Sequence, residues 1–174
     1  MVCRYRKPSF LSWEEASSIS LTAITAYQNL LKDPRTPLSK GQSIFINGGS
    51  GGVGLFAIQI ARYIVGETGK VVVSCSAPNH ELVKQYGADE AFDYTSINLP
   101  SYLSQNYASS RFDLVLDAVG SLELFHACAS FLKPRGEYIL IALDIPSSIG
   151  GFVAMFVDLV RTCLLPTFLG GVPR

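Results

Sequence analysis

Residues 43–54 read Ser43-Ile-Phe-Ile-Asn-Gly-Gly-Ser-Gly-Gly-Val-Gly54, and this stretch decides the fold. An apolar run ends in a cluster of glycines, and a second apolar run with helical spacing follows. Gly49, Gly51 and Gly54 have the G-x-G-x-x-G spacing, in which the glycines allow a tight turn, close approach of a pyrophosphate, and helix-on-strand packing. The stretch therefore predicts a strand, a phosphate-binding turn and a helix whose amino end faces the phosphate.

The same glycines also fit a second motif. Residues 48–52 match G-x-S-x-G, the nucleophile elbow of hydrolases, with Ser50 as nucleophile. That motif needs an Asp and then a His later in the chain, each at the end of a strand. Asp117 is suitably placed, but His126 falls inside a predicted helix and His80 precedes Asp117. The sequence therefore favours the nucleotide-binding motif.

Composition excludes several classes of function. The 174 residues suit one domain, and 48% hydrophobic against 16% charged residues indicates a well-packed core. The net charge is zero and the basic residues are scattered, so no nucleic-acid partner is expected. The four cysteines form no C-x-x-C pair or Cys/His cluster, which favours reduced thiols in a cytoplasmic protein. No apolar run is long enough for a membrane span.

Helices and strands alternate along the sequence. A capping box at Ser12-Trp13-Glu14-Glu15 predicts a helix that continues to about Leu31, before Asp33-Pro34. The predicted strands cover residues 43–47, 70–75, 90–93, 112–117 and 137–143. The predicted helices cover residues 52–65, 79–86 and 122–132, with a polar helix or loop over 101–108.

The strands lack polar alternation, which is typical of a parallel sheet covered by helices on both faces. Five β/α alternations then predict an α/β fold with a doubly wound parallel sheet and right-handed crossovers. Ligands of such sheets bind beyond the carboxyl ends of the strands. Beyond Pro146 the sequence predicts a helix over 150–163 and an edge strand over 162–169.

The end of the second strand bears on the choice of nucleotide. An acidic residue about 20 positions beyond the glycine turn would bind the adenosine ribose of NAD(H). That place holds Ser74-Cys75-Ser76, followed by Asn79 and His80, and the nearest basic residue is Lys84. Because small hydroxyls and amides leave room for a 2′-phosphate and can donate to it, the sequence favours NADP(H). The alternative is that Ser76 and Asn79 only cap the following helix.

No catalytic residue is assigned from the sequence. Asp117 is at least as well explained as a turn or helix-capping carboxylate as by contact with a ligand. Neither histidine stands beside a plausible nucleophile, so no general-base arrangement is evident.

With these motifs in hand, the chain resembles the medium-chain dehydrogenase/reductase superfamily, and most of all its zinc-independent quinone oxidoreductase-like branch. The resemblance covers nearly the whole chain. It is carried by Leu21-Thr22-Ala23-Ile24-Thr25-Ala26-Tyr27, by the glycine turn from Asn47 to Gly54, by Glu81-Leu82-Val83-Lys84 with Gly87-Ala88-Asp89-Glu90, by Phe92-Asp93-Tyr94, and by residues 113–120.

The resemblance implies a Rossmann-type NADP(H) site. It places Ser50, Gly52 and Val53 at the pyrophosphate, Ser76 and Tyr94 by the 2′-phosphate, and Thr25, Val119 and Ala142 near the nicotinamide. Asn79 stands where related reductases often have a basic residue, and Leu21 where zinc-dependent relatives have a cysteine ligand, so no metal is expected. The candidate cofactor-binding residues are Thr25, Gly49, Ser50, Gly51, Gly52, Val53, Gly54, Ser76, Asn79, Tyr94, Val119 and Ala142.

The implied function is NADPH-dependent transfer of a hydride to a quinone or an α,β-unsaturated carbonyl. Relatives carry a substrate-binding domain before the first helix, so we expect this chain to be the cofactor-binding part of a longer enzyme. The alternative is a non-catalytic nucleotide-binding or interaction module left by truncation. The expected division is a hinge helix and lead-in (1–37), the Rossmann domain (38–145) and a returning segment (146–174). A homodimer through residues 151–157 is also expected.

Overall fold

The computed structural model describes residues 6–32 and 38–142. This part of the chain contains five strands: β1 (Ser43–Asn47), β2 (Lys70–Cys75), β3 (Glu90–Asp93), β4 (Phe112–Asp117) and β5 (Leu132–Leu140). They form one parallel sheet in the order β3-β2-β1-β4-β5. The strand order reverses between β1 and β4, which confirms the doubly wound α/β fold and places its switch point beside the glycine turn.

Helices cover both faces of the sheet. They are α1 (Trp13–Ser18), α2 (Ile24–Tyr27), α3 (Gly52–Val65), α4 (His80–Gln85), α5 (Leu99–Asn106) and α6 (Leu122–Ala127). Two π-helical stretches, Ile19–Ala23 and Gln28–Lys32, follow α1 and α2, so that residues 13–32 form one continuous stretch, here called the first helical segment. Single 3-10 turns, Ala77–Asn79 and Cys128–Ser130, precede α4 and follow α6.

The first helical segment begins as the sequence predicts. The backbone N–H of Glu15 donates to Ser12 Oγ at 3.1 Å, and the N–H of Ser12 donates to Glu15 Oε2 at 2.8 Å. This reciprocal capping box pairs two N–H groups that the helix itself leaves without acceptors. The predicted end at Asp33-Pro34 lies outside the described residues.

Two apolar cores hold the layers together. On one face of the sheet, α3 and the first helical segment bury Ala26, Leu30, Ile58 and Val73. On the other face, α5 and α6 pack against aromatic side chains of the strands. The residues at the centre of this second core are Phe45, Val72, Leu103, Phe112, Val115, Leu124 and Phe131. Because successive residues of β1 and β2 enter opposite cores, the central residues of these strands, 44–46 and 71–73, are all apolar.

The end of the sheet at β5 differs from the prediction. β5 begins at Leu132, five residues before the predicted start, and the predicted helix over 122–132 ends at Ala127. Pro134 and Gly136 argue against a central strand, but β5 pairs only with β4 among the described strands. An edge strand tolerates a residue without an N–H group. The β4–β5 ladder accordingly shifts register between Phe112 and Leu114.

The helix after β3 is also better defined than predicted. The sequence suggests a polar helix or loop over 101–108, whereas α5 covers Leu99–Asn106. Asn98 caps it, with its side-chain Oδ1 accepting from the Ser101 N–H at 3.0 Å, and Pro100 occupies its first turn. Asn two positions before Pro, as in Asn98-Leu99-Pro100, is a helix-start signal that was available in the sequence.

The outer face of the first helical segment is apolar and exposed. Ala26 and Leu30 on its inner face are buried against α3, whereas five large apolar side chains on the outer face are between 44% and 75% exposed. This set, the outer stripe, consists of Trp13, Leu21, Ile24, Tyr27 and Leu31. A segment that is apolar on two opposite faces is suited to contact two bodies.

Several predictions concern residues that the structure does not describe. The helix over 150–163, the edge strand over 162–169, the dimer face over 151–157 and the last predicted residue of β5, at position 143, all lie outside the described residues. Among the residues that are described, no helix is long and apolar enough to cross a membrane.

Replacement of Leu103 with Ala should lower the free energy of unfolding by about 2–5 kcal/mol, because it leaves a cavity in the second core. Leu103 is fully buried, whereas Leu21 of the outer stripe is 74% exposed. The matched control Leu21→Ala should change stability by no more than about 0.5 kcal/mol. Urea denaturation of both variants tests this, and equal losses would contradict the described layering.

Candidate cofactor site

The glycine turn is fixed by close backbone approaches. A Cβ atom at Gly49 would lie 1.9 Å from Val73 Cγ1, and one at Gly54 would lie 2.3 Å from the carbonyl oxygen of Gly48. Gly48 itself has a φ of +81°, which favours glycine. The Gly49 N–H donates to the carbonyl of Ser74 at 2.9 Å. The first and third glycines of the motif thus seat the turn on β2 and bring α3 close to it.

The middle glycine leaves the turn open on its outer side. Gly51 has extended backbone (φ −73°, ψ 165°) at the N-cap of α3, and no side chain caps this helix. The first N–H groups of a helix have no intrahelical acceptor. An uncapped helix start next to exposed Gly51 and Gly52 therefore offers N–H donors and the positive end of the helix dipole to an anion.

A chain of polar side chains crosses the carboxyl edge of the sheet. Ser74 Oγ on β2 donates to Asn47 Oδ1 at 2.6 Å, and Asn47 Nδ2 on β1 donates to Asp117 Oδ1 at 2.8 Å. The Tyr138 hydroxyl on β5 donates to Asp117 Oδ2 at 2.7 Å. The Gly48 N–H donates to Ser74 Oγ at 3.1 Å, so the chain, here called the edge network, also anchors the glycine turn.

Asp117 is a turn carboxylate with no exposed surface. Besides Asn47 and Tyr138, its oxygens accept hydrogen bonds from three successive backbone N–H groups, those of residues 119–121, at 2.8–3.0 Å. Burial, and then the Asp117 carboxylate, raise the pKa of Tyr138, so the phenol keeps its proton and donates it. These donors explain Asp117 as a structural residue, and its hydrogen bonds leave Ser50 without a triad.

A cleft of about 650 Å³ opens over the glycine turn. The glycine turn and the first turn of α3 form one side, and the segments that follow β3 and β4 form the other. The lining residues are Thr22, Asn47, Gly48, Ser50, Gly51, Gly52, Val53, Gly54, Cys75, Tyr94, Ile97, Asn98, Leu99, Pro100, Ala118, Val119, Ser121 and Glu123.

Seven of the twelve candidate residues named from the sequence line this cleft: Ser50, Gly51, Gly52, Val53, Gly54, Tyr94 and Val119. Gly49 is buried beneath the turn against Val73. Thr25 lies one helical turn beyond the lining residue Thr22, and its hydroxyl donates to the carbonyl of Leu21 at 2.8 Å. Ala142 follows β5, outside the lining set.

Ser76 and Asn79 do not line the cleft, and they contact each other. Asn79 Nδ2 donates to Ser76 Oγ at 2.9 Å, and neither side chain caps the helix that follows it. The side chains of Ser76 and Asn79 therefore do not act as helix caps, which was the alternative explanation for these two residues.

The sequence did not identify the wall of the cleft formed by residues 97–100. This wall is apolar because it contains Ile97, Leu99 and Pro100. The side chain of Asn98 caps α5. Thr22 was also missed, although a Cβ at Gly52 would lie 2.9 Å from its Cγ2. The Asn-x-Pro helix start could have located the wall, whereas the approach of Thr22 depends on tertiary packing.

The described residues that line the cleft include no Lys, Arg or His, and they include one carboxylate, that of Glu123. Burial, and secondarily the charge of Asp93, raise the pKa of Cys75, so this thiol is neutral. The cleft therefore offers an anion backbone N–H groups and not basic side chains.

Replacement of Gly54 with Ala should lower the free energy of unfolding by at least about 1 kcal/mol, because the new methyl group collides with backbone. Gly51→Ala is the matched control, since its Cβ would lie 3.3 Å from the nearest atom, the carbonyl oxygen of Gly48. This control should lie within about 0.5 kcal/mol of the wild type. The opposite order in thermal or urea denaturation would contradict the geometry of the turn.

Asp117→Ala should cost at least about 3 kcal/mol of stability, because it leaves several buried donors without an acceptor. Tyr138→Phe removes one of these donors and keeps the carboxylate, so it should cost about 1.5 kcal/mol. Urea denaturation compares the two variants. A larger loss for Tyr138→Phe than for Asp117→Ala would show that the edge network does not converge on Asp117.

Comparisons with known proteins agree with this architecture. A family profile described as zinc-binding dehydrogenase matches residues 52–171. The trans-enoyl reductase poxH of Penicillium oxalicum is 36% identical over 166 residues, covering 94% of this chain and 42% of that protein. The 2-methylene-furan-3-one reductase of Solanum lycopersicum is 40% identical over 135 residues, covering 78% of this chain and 31% of that protein. The chain thus spans less than half the length of these relatives.

Solved structures lead to the same fold. The mycobacterial protein Rv1454c, complexed with NADPH, has a TM-score of 0.66 at 25% identity, covering 86% of this chain and 46% of that one. A quinone oxidoreductase of Pseudomonas syringae pv. tomato has a TM-score of 0.67 over 87% of this chain and 46% of that one. Its 21% identity supports the fold alone.

The family description mentions zinc. Within residues 6–32 and 38–142, no three His, Cys, Asp or Glu side chains are grouped as metal ligands would be. The profile match, the identities to the two reductases and the five-stranded parallel sheet agree with one another. The chain belongs to the zinc-binding dehydrogenase family, in the quinone oxidoreductase-like branch of the medium-chain dehydrogenase/reductase superfamily of oxidoreductases.

Proposed function

We propose that this chain binds NADP(H) in the cleft and serves as the cofactor-binding part of a zinc-independent reductase of quinones or α,β-unsaturated carbonyls. The observation that carries the proposal is the uncapped start of α3 beside Gly51, where N–H donors face a cleft large enough for a nucleotide. A side chain at Gly51 would project into the path of a pyrophosphate, so the glycine fits the group.

The pyrophosphate, the adenine ring and the nicotinamide have proposed contacts. Ser50, Gly52 and Val53 would hold the pyrophosphate through the backbone N–H groups of the turn and the first turn of α3. The apolar wall at Ile97 and Leu99 would contact the adenine ring. Val119 would lie at the nicotinamide end, with Thr25 and Ala142 as further proposed neighbours.

The bound cofactor would supply the hydride, and the chain would supply binding and orientation. The residues of the turn fix the dinucleotide by its pyrophosphate, and the edge network holds the loops after β1 and β4 in one arrangement. The catalytic proton donor stays unassigned. The carboxylate of Asp117 is fully buried and accepts five hydrogen bonds, so it is no candidate for proton transfer to a substrate.

The proposed substrate class rests on relatives. One relative is named a trans-enoyl reductase and another a 2-methylene-furan-3-one reductase, and both names describe reduction at a conjugated carbon–carbon double bond. The proposed preference for NADPH over NADH rests on the absence of a carboxylate at residues 74–76 and on the NADPH complex of the mycobacterial neighbour.

The division into a hinge helix (1–37), a Rossmann domain (38–145) and a returning segment is part of the same proposal. So is a cytoplasmic location, which rests on the scattered cysteines. A second candidate function is a nucleotide-binding module without turnover.

NADPH should bind the purified chain with a dissociation constant in the micromolar range, and NADH should bind more weakly. Gly51→Ala should weaken NADPH binding about tenfold, or roughly 1.4 kcal/mol, because the methyl group obstructs the pyrophosphate. Nucleotide fluorescence measures both constants. Tyr63→Ala, at an exposed position of α3 away from the turn, is the control and should bind as the wild type does.

The cofactor assignment fails if neither nucleotide binds below millimolar concentration. If NADPH binds, its oxidation in the presence of a trans-2-enoyl thioester or a benzoquinone separates the two functions. Turnover by this chain rules out the module without turnover, whereas the cofactor-binding part of a longer reductase is expected to bind NADPH whether or not it turns over alone.

A further inference from the structure

The cleft contains a carboxylate that the binding of phosphates does not explain. Glu123, in the first turn of α6, is exposed and is the one carboxylate among the described residues that line the cleft. Because a carboxylate repels a phosphate, the charge of Glu123 by itself disfavours a nucleotide. A side chain with this cost calls for a favourable contact with some other part of the ligand.

The helix starts around the cleft divide it into two parts. The start of α3 beside Gly51 has no side-chain cap and leaves its N–H groups to an anion. The start of α5 is capped, since Asn98 Oδ1 accepts from the Ser101 N–H at 3.0 Å. The start of α6 is capped as well, since Ser121 Oγ accepts from the Leu124 N–H at 3.2 Å. The part of the cleft at α3 therefore suits an anion, and the part at α5 and α6 suits an uncharged group.

Glu123 lies in this second part, together with the apolar wall formed by residues 97–100. Helices α5 and α6 contact each other, and Leu99 of α5 and Leu124 of α6 belong to the second core. Glu123 directly precedes Leu124, and both Glu123 and Leu99 line the cleft. The carboxylate and the apolar wall are thus on the same side of the cleft, opposite the glycine turn.

An apolar wall with one carboxylate beside it has the chemistry of a site for a flat ring that carries an amino group. The wall provides surface for the face of the ring, and a few polar groups fix the orientation of a ligand in such pockets. At neutral pH an ionised carboxylate accepts hydrogen bonds and does not donate them, so it favours a ring edge that donates. Adenine, which the proposed function places at Ile97 and Leu99, has a donor at its 6-amino group.

We propose that Glu123 selects the base of the dinucleotide: its carboxylate accepts a hydrogen bond from the 6-amino group of adenine. This inference rests on the proposed function and adds to it a preference among purines. A purine with a carbonyl oxygen at position 6, such as hypoxanthine, places an acceptor against the carboxylate and is rejected. With adenine, the hydrogen bond offsets the repulsion between Glu123 and the phosphates.

Nucleotides that differ only in the base test the proposal. NADPH is compared with reduced nicotinamide hypoxanthine dinucleotide phosphate, in which a carbonyl oxygen replaces the 6-amino group and the adjacent ring nitrogen carries a hydrogen. Both compounds fluoresce through the reduced nicotinamide, so their dissociation constants are measured in the same way on the whole chain. The wild type should bind NADPH about tenfold more tightly, because a hydrogen bond to a charged group commonly contributes this much.

Glu123→Gln should reduce this preference to less than about threefold, because a neutral amide makes weaker hydrogen bonds than a carboxylate and can pair with either base. The matched control is Glu81→Gln, which also removes a carboxylate from the first turn of a helix, at a position outside the lining set. The control should keep the full preference. Since both variants lose one negative charge, and the two nucleotides carry the same phosphates, a general effect of charge cancels in the ratio of affinities.

The carboxamide of the nicotinamide also carries an amino group, and NADP⁺ as a third ligand distinguishes the two ends of the cofactor. The oxidised nicotinamide ring is a cation, so a carboxylate beside it would strengthen the binding of NADP⁺ relative to that of NADPH. If Glu123→Gln changes the ratio of the NADP⁺ and NADPH affinities and leaves the preference for adenine unchanged, Glu123 faces the nicotinamide and the proposal is overturned.

The outcomes also distinguish this inference from the proposed function. If neither dinucleotide binds, the proposed function fails, and this inference fails with it. If NADPH and the hypoxanthine analogue bind the wild type equally well, the function stands and the selection of the base by Glu123 is overturned. The same conclusion follows if Glu123→Gln keeps the preference of the wild type.

Discussion

The hydrogen bonds that converge on the Asp117 carboxylate hold together the edge of the sheet at which the cleft opens. Side chains from β1, β2 and β5 meet this one group directly or through Asn47. Taking an ion out of water is costly unless donors replace the lost hydration, and five donors surround this carboxylate. The polypeptide is therefore constrained to bring β4, its following turn and β5 to one point.

The direction of these hydrogen bonds matters as much as their number. Each donor in the edge network points along the sheet toward Asp117, from the Gly48 N–H through Ser74 and Asn47. This polarity fixes the orientation of the Asn47 amide and of the Ser74 hydroxyl. The glycine turn and the 118–121 turn thus share one acceptor, which explains why two loops distant in sequence form opposite sides of one cleft.

How far the sequence predicts this molecule depends on the range of the interactions involved. The glycine turn is found where predicted. It is a local feature, because its glycines are required by close approaches between neighbouring strands, the turn itself and the helix that follows. The start of β5 was misplaced, because Pro134 and Gly136 suit a strand only at an edge, and edge position is a property of the assembled sheet. In the cleft, the lining residue Thr22 was missed, although Thr25, one helical turn away, was named. The reason is that π-helical stretches change the direction of side chains along the helix, so that direction cannot be predicted from residue spacing.

The carboxyl end of β2 shows the same dependence on contacts between residues that are distant in the sequence. The sequence has no acidic residue at 74–76, yet parallel pairing of β2 with β3 brings Asp93 next to Cys75. An acidic residue 18 positions away in the chain thus lies beside Cys75, which lines the cleft. Only the register of two strands reveals it, and periodicity does not determine register between parallel strands joined by a helix.

The first helical segment touches the glycine turn on one side and carries the outer stripe on the other. Thr22 on its inner side lies against Gly52, at the first residue of α3. A helix with its side chains is about 10–12 Å across, so a body that packed on Trp13, Leu21 and Ile24 would stand that far from the pyrophosphate-binding turn. The thickness of one helix would then act as a ruler, setting the distance between a docked surface and the nucleotide without any residue of that surface reaching into the turn.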